Sequence, residues 1–504
     1  MKINSICVLG GGTAGFSISS MLSRYREISG SKFDIKVVYC EQIKSIGVGE
    51  SSVLNVNDFF NYLGLNDKKW MKRCDATYKT VLKFTDFNLG SYFYYPLDRI
   101  PHTPERSQQL YNWYVGKEYR PDLYTPENAG TYFVPHTILA EKNKLTDNDD
   151  YNLNRNAAYH FDASKLGDVL REYSEERGVE IINDKFVEAK LNEDGSIKSL
   201  ICEEGVYDAD LFVDCSGFSS LLLGKTMKQE FISYGSNLIN DKAIVAKIPY
   251  KDKEKELNNY TNSVALKNGW CWEIPLWDKM SVGYVHTNKF ATEKEIEKEF
   301  FDRYGEVEYK TIHYKTGRYK NGWVKNVVGV GLAYGFIEPL ESTGLATTFV
   351  NCFRLIEALS KRNLNCTKID RDLFNTTVGE YGIDFWRSVV LMHYFLSLRS
   401  DSDYWNHITE DIDYDSNINS EFSYKSFIYK CGVIRDLYPT HEPGPMHIAT
   451  GMGYSPLSRA ILLTENIDKE LTDGKLFDNG LKYLEDWIKD FPSTFEFLRN
   501  NIYD

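Results

Sequence analysis

The sequence predicts an α/β fold organised around a parallel dinucleotide-binding sheet, followed by a mostly helical second lobe. Three observations carry this expectation. A short apolar strand, Ile3–Leu9, runs into Gly10-Gly11-Gly12-Thr13-Ala14-Gly15 and then into a helical pattern through Ile18, Met21 and Leu22. A second strand, Asp34–Cys40, follows and ends at Glu41. Of two later apolar runs, Asp208–Asp214 returns long after the first β-α-β unit and reads as a further strand of the same sheet, and Val327-Val328 reads as a buried strand. Strand, G-x-G-x-x-G, helix, strand and acid is the Rossmann-like pattern.

Taken in order, Gly10–Gly15 allows a pyrophosphate to approach the backbone, and the helix N-terminus behind it stabilises the charge. Glu41 can accept from ribose hydroxyls. The pattern does not separate FAD from NAD. Ile46-Gly47-Val48-Gly49-Glu50-Ser51-Ser52 is a second glycine turn before a helix at Asn57–Cys74, and on composition alone it is a capping loop. Ala76–Phe87 alternates as one strand. Tyr78, Leu82 and Phe84 share one face; Lys79, Val81, Lys83 and Thr85 share the other. Two lysines on one face usually mean solvent, and periodicity does not choose between them. From Tyr92 to about Asp150 the chain reads as an irregular aromatic insertion covering a site.

Ala158–Ala163 opens a helix through Tyr173. A strand near Val179–Ile182 and a hairpin about Glu193-Asp194-Gly195 follow. Gly269–Leu276 places Trp270 and Trp272 on one strand face, which by pattern alone is a half-buried core strand. Gly329–Leu345 is a long glycine-rich turn between the Val327-Val328 strand and a helix through Leu355. Free N–H groups at such a helix start suit an anion; equally, Ser342 or Thr343 could simply cap it. Beyond Asp370 the chain is helical and aromatic, and His393 reads as a core histidine. The expected division is 1–365, with the insertion at about 88–150, and 366–504.

Composition excludes several classes. The chain has 504 residues, enough for more than one structural unit. Lys+Arg 59 against Asp+Glu 72 gives a net charge of −13, which argues against a nucleic-acid or anionic-membrane surface. No run approaches the roughly 20 apolar residues of a membrane span, and Met1–Leu9 does not read as a signal peptide. Nine cysteines without a C-x-x-C pair read as free thiols of a reducing, cytoplasmic compartment. No metal-ligand spacing and no G-x-S-x-G or Cys/His nucleophile pattern is present in the sequence.

Together these residues resemble the flavin-dependent halogenases of the tryptophan-halogenase family, from residue 1 to about residue 405. Gly10–Gly15 is similar to its FAD fingerprint, and Trp270-Cys271-Trp272-Glu273-Ile274-Pro275 fits its W-x-W-x-I-P. Ile46–Glu50, Tyr159–Ala163, Asp214–Phe218 and Phe336–Gly344 resemble its other signatures, and His393-Tyr394, Arg399 and Trp405 extend the likeness.

The resemblance implies a two-lobed flavoprotein-monooxygenase architecture and FAD used as FADH2, supplied by a separate flavin reductase. With O2 and halide, hypohalous acid would form and reach a lysine, and an electron-rich aromatic small molecule (indole or phenol-like) would be halogenated. It implies Lys79 and Glu341 as catalytic residues, and the Thr343 and Gly344 N–H groups as the halide site. Whether Lys79 becomes a haloamine or hydrogen-bonds the acid stays open. For the cofactor it implies Gly10, Gly12, Thr13, Ala14, Gly15 and Glu41, then Val48, Gly49 and Ser51, and finally Val187, Leu332 and Leu345. Trp270, Trp272, Ile274 and Pro275 would partition flavin from substrate. The family's Gly-Glu-Ala-Thr is Gly-Glu-Ser-Ser at 49–52 here. After Trp405 the tyrosine-rich tryptophan clamp is missing, and Gly451–Pro456 is a loose echo, which points away from free tryptophan. Chloride, bromide and iodide are not distinguished, and a homo-oligomer is compatible with the sequence. The competing readings are an FAD-dependent aromatic hydroxylase and a catalytically silent flavoprotein module.

Overall fold

The computed structural model describes residues 1–43, 47–97, 104–415, 423, 444–454 and 469–504. The chain forms two compact units, each drawn from three segments. The first comprises Met1–Ala76, Phe161–Leu238 and Tyr314–Arg387; the second comprises Thr77–His160, Ile239–His313 and Ser388–Asp504. Residue 365 is therefore a boundary of neither unit, although every described element beyond residue 366 is a helix. The chain crosses between units several times, so no single cut in sequence separates them.

The first unit is built on a six-stranded sheet ordered Trp323–Val324, Val327–Gly329, Leu211–Asp214, Ser5–Leu9, Asp34–Tyr39, Glu180–Asn183. All pairings are parallel except the edge pair Trp323–Val324 with Val327–Gly329. The strands are short apolar runs because both faces are covered: Val8, Val37, Val213 and Val328 are each fully buried. The helix Thr13–Ser29 lies against the helix Ala163–Glu176 through small side chains. The Ser174 hydroxyl is 2.9 Å from that of Ser19 and 3.0 Å from that of Ser20. Asp162 caps the second helix, accepting from the Ser164 and Lys165 N–H groups. The helix expected at Asn57–Cys74 is instead Asn55–Leu63, closed by Gly64 in the left-handed region, then two single turns at Asp67–Trp70 and Lys72–Cys74.

The second unit carries a seven-stranded sheet ordered Lys310–His313, Lys242–Pro249, Lys279–His286, Gly269–Pro275, Tyr260–Leu266, Val81–Thr85, Tyr92–Pro96. The single strand expected over Ala76–Phe87 is two strands, Thr77–Lys79 and Val81–Thr85, in different sheets. Thr80 makes the break. Its N–H donates to the Asn259 carbonyl at 2.7 Å, and its hydroxyl also donates to Asn259. Lys79 pairs with Ala158 while Lys83 pairs with Tyr94 and Asn262. The two lysines therefore do not share a strand face.

The insertion expected to be irregular is largely regular. It contains the strand Tyr92–Pro96 and the helices Pro104–Tyr119 and Pro126–Phe133. Its aromatic residues build a core of their own, with Trp113, Tyr114, Tyr124 and Phe133 buried together with Met446. His393 is a core histidine, fully buried and stacked on Phe84 with ring centres 4.2 Å apart. The Arg399 and Trp405 signature is structural. Arg399 donates to the Asp86 and Ala265 carbonyls, and the Trp405 indole donates to the Leu266 carbonyl, so both tie helical chain to strand ends. No helix among the described residues is long and apolar enough to cross a membrane.

Asn259 holds the strand break and also donates to the Lys144 carbonyl at 2.7 Å and the Thr494 hydroxyl at 3.0 Å. Replacing it with leucine leaves buried partners unsatisfied. Asn259→Leu should cost about 2–3 kcal/mol, seen as a lower midpoint in urea unfolding; an unchanged midpoint would show that the break holds without this side chain.

Candidate active site

In the first unit the dinucleotide turn is a close backbone contact. Gly10 has φ 122°, and a Cβ there would lie 2.3 Å from the Cys215 carbonyl oxygen. A Cβ on Gly15 would lie 1.8 Å from the Gly10 carbonyl oxygen. Gly12 is the N-cap of the Thr13–Ser29 helix, and no side chain caps it. The glycines let the turn pack tightly against neighbouring backbone, and the helix start behind it has no side-chain cap, an arrangement that suits a pyrophosphate. Thr13 donates from its hydroxyl to the Ala163 carbonyl at 2.9 Å, and the Val48 carbonyl accepts from the Ala163 N–H. Gly331, with φ 65°, brings the turn carrying Leu332 against Ala14: a Cβ on Gly331 would stand 3.1 Å from the Ala14 Cβ. Glu41 is exposed and accepts from the Tyr39 hydroxyl at 2.9 Å. Gly49 and Ser51 form a short buried strand. Val187 lies on the hairpin strand Phe186–Leu191 and is 58% exposed. Ile46 lies outside the described residues, as do Ser455 and Pro456 of the Gly451–Pro456 stretch.

Sequence reasoning placed Asp214 in a signature, Asp214–Phe218, without giving its side chain a role. Its buried carboxylate accepts from the Ser216, Leu222 and Leu223 N–H groups and the Ser216 hydroxyl. It fixes the chain just after Cys215, which Gly10 approaches. Burial raises the Asp214 pKa while these hydrogen bonds oppose the rise.

The Gly329–Leu345 stretch is more structured than a plain turn. It contains single 3₁₀ turns at Gly331–Ala333 and Pro339–Glu341 and a two-residue strand at Gly335–Phe336. Ser342 is left-handed, with φ 59°, and the helix Gly344–Lys361 starts at Gly344 with Thr343 as its N-cap residue. The reading of Thr343 as a side-chain cap does not hold, because Thr343 makes no cap hydrogen bond and its buried Oγ1 has no partner. An 18-residue helix therefore begins with its N–H groups uncapped by the N-cap side chain and a partnerless buried hydroxyl beside them. That combination fits an anion. Glu341 is buried, and Leu345 begins the helix's covered face. Glu50 also approaches: one of its carboxyl oxygens is 4.0 Å from the position of a Cβ on Gly344. Burial pushes the Glu50 pKa up to about 7.

In the second unit Lys79 is fully buried. His160, also fully buried, lies across from Thr77 in the pairing of Thr77–Lys79 with Ala158–Asp162. Trp270 and Trp272 lie on one face of Gly269–Pro275, with ring centres 6.2 Å apart. Gly283 on the neighbouring strand is the floor for Trp272, since a Cβ there would be 2.0 Å from its ring. Only the cross-strand register, invisible in the sequence, reveals this role. Ile274 and Pro275 are buried. Lys83 is not on a simple solvated face. Its Nζ lies 4.2 Å over the Tyr92 ring, with Tyr94 and Tyr260 beyond, and burial lowers its pKa.

The parallel sheet and the glycine turns at its strand ends define a Rossmann-like α/β fold, the class to which flavin-dependent halogenases belong. The sequence matches the tryptophan halogenase family over residues 5–429, and the chain belongs to that family. It is 31% identical to tryptophan 7-halogenase RebH of Lentzea aerocolonigenes over 426 residues, 80% of this chain and 78% of that one. Among solved structures, VirX1 in its apo form matches at 33% identity with a TM-score of 0.92, covering 100% of both chains. Tryptophan 6-halogenase SttH of Streptomyces toxytricini matches at 26% identity and a TM-score of 0.83, covering 98% of this chain and 99% of that one. The chain is an FADH2-dependent halogenase of aromatic substrates.

The Glu50 environment has a pH consequence. A carboxyl raised from 4.5 to about 7 resists ionisation in the fold, so stability falls as pH rises through that interval. Glu50→Gln removes the effect. The stability of the apo variant relative to wild type should rise by about 1–3 kcal/mol from acid to mildly alkaline pH. Thermal unfolding of both proteins across this range checks it, and a constant difference would show that this environment does not raise the Glu50 carboxyl.

Proposed function

We propose that this halogenase uses O2 and a halide to generate hypohalous acid and transfers the halogen to an electron-rich aromatic small molecule of the indole or phenol class. The observation that carries the proposal is the start of the Gly344–Lys361 helix, where uncapped N–H groups and the orphaned Thr343 hydroxyl offer a halide its complement. Reduced FAD, delivered by a separate flavin reductase, supplies the oxidising equivalent with O2 when bound at the Gly10–Gly15 cradle.

The chain's own residues then have distinct tasks. The N–H groups of Thr343 and Gly344 hold the halide. Lys79, buried at the end of a short strand, captures the hypohalous acid and presents its electrophilic halogen to the ring. Glu341, a buried carboxyl, orients the acid or accepts the proton lost from the substituted carbon. Trp270 and Trp272 shield the oxidant from the aromatic substrate, which disfavours direct hydroxylation. RebH and SttH are tryptophan halogenases by name. The altered chain after Trp405 supports a different indole or a phenol here.

A panel of indoles and phenols, with flavin reductase and each of chloride, bromide and iodide, should give a halogenated product recognisable by isotope pattern or mass shift. With the best acceptor, Lys79→Ala should consume O2 at the wild-type rate, release hypohalous acid or peroxide, and lose about 100-fold in product. Full product yield from Lys79→Ala would overturn its role, and no halogenation of any panel member would overturn the proposed substrate class.

A further inference from the structure

We propose that His160 is a neutral positioning residue for Lys79, bracing the lysine strand through Thr77 against Thr261 of the strand Tyr260–Leu266 by a fixed imidazole tautomer, and thereby fixing the Thr77 hydroxyl on the Pro275 carbonyl of the tryptophan-bearing strand. The proposal rests on the role of Lys79 given above and goes beyond it by assigning what sets that lysine in place.

The hydrogen bonds determine the tautomer. The Thr77 hydroxyl has one proton, and it goes to the Pro275 carbonyl at 2.7 Å. Thr77 Oγ1 is also 2.9 Å from His160 Nδ1, so in that contact Thr77 must accept and Nδ1 must carry a proton. His160 Nε2 is 2.9 Å from Thr261 Oγ1. In a neutral ring Nε2 accepts there and Thr261 donates. Neutrality follows from the site: the ring is fully buried, and burial and the nearby Lys79 both hold the imidazole pKa well below its usual value.

A directed chain results, from the Thr261 hydroxyl through His160 and the Thr77 hydroxyl to the Pro275 carbonyl. It links three parts of the second unit: the strand Tyr260–Leu266, the pairing of Thr77–Lys79 with Ala158–His160, and the end of Gly269–Pro275. Lys79 is two residues from Thr77, and in a strand residues i and i+2 point to the same face. The lysine strand has only three residues and ends at the Thr80 break. Three backbone pairings alone would leave its side chains loosely held. The imidazole can join Thr77 to Thr261 without adding a charge beside Lys79; a lysine or arginine could not.

The test separates the two sides of the ring. His160→Asn keeps a donor near the Nδ1 position, so it should retain the Thr77 contact. His160→Gln places its amide near Nε2 and should lose that contact. Thr77→Val removes the relay from the other end. With the best acceptor of the wild-type enzyme, His160→Gln and Thr77→Val should lower halogenated product per O2 consumed by roughly tenfold or more. O2 consumption should stay near wild type, and hypohalous acid or peroxide should appear in solution. His160→Asn should recover most of the coupling. Histidine ¹⁵N spectra of the wild type, assigned by loss of a signal in His160→Gln, should show protonated Nδ1 and unprotonated Nε2, unchanged between about pH 6 and pH 8. Equal loss in the Asn and Gln variants, unchanged coupling in both, or a ring that titrates in this range would overturn the proposal. If Lys79→Ala itself keeps full product yield, the role of the lysine fails instead, while the tautomer remains readable in the spectra.

Discussion

The first unit depends on one close approach: the Gly10 backbone against the carbonyl of Cys215, with Gly15 packed on the Gly10 carbonyl in turn. No side chain fits at either glycine. The strand end Leu9 and the strand end Asp214 are parallel neighbours, so the two turns that follow them meet above the same edge of the sheet. Asp214 holds its turn with four hydrogen bonds, and Gly331 brings a third turn against Ala14. Three strand ends thus deliver glycine or small-residue turns to one place, as expected where a parallel sheet binds a ligand beyond the carboxyl ends of its strands. The Gly344–Lys361 helix follows the third of these strands after two single turns and a two-residue strand, and its N-cap residue, Thr343, makes no cap hydrogen bond.

The second unit solves a different problem. It presents a buried lysine on a strand too short to fix it by backbone pairing. Thr80 and Asn259 end that strand, and the Thr77–His160–Thr261 chain braces it from the side. Burial of an ammonium group is costly unless it is partnered, and a second cation beside it would add repulsion, so the brace on this strand must be rigid and carry no positive charge. A histidine between two threonines meets both conditions. Beside it, Gly283 lets the Trp272 ring lie flat on the sheet.

What the sequence made legible was local. The glycine fingerprint, the parallel strands and the helix after Gly344 each follow from a short pattern with a direct physical cause. The returning position of Asp208–Asp214 places it in the first sheet, and its second half, the strand Leu211–Asp214, lies beside Ser5–Leu9, while Asp208 ends a strand of another sheet. What was not legible depended on partners distant in sequence. Alternation from Tyr78 to Thr85 continues smoothly across Thr80, because the break is made by Asn259, 179 positions away. Lys83 looked solvated because its tyrosine cage comes partly from Tyr260, on a strand remote in sequence. The aromatic insertion looked irregular because its rings pack on Met446 and Phe477 rather than along one repeating face. His160 could not be given a role until both ring nitrogens had named partners.

The most direct test of the central claim is the position of the halide itself. Crystals grown with bromide in place of chloride locate the ion by anomalous scattering, without reference to any substrate or product. The predicted result is a bromide at the Thr343–Gly344 turn, within hydrogen-bonding reach of the backbone N–H groups and the Thr343 hydroxyl. A fully occupied bromide elsewhere, with that helix start empty, would contradict the claim.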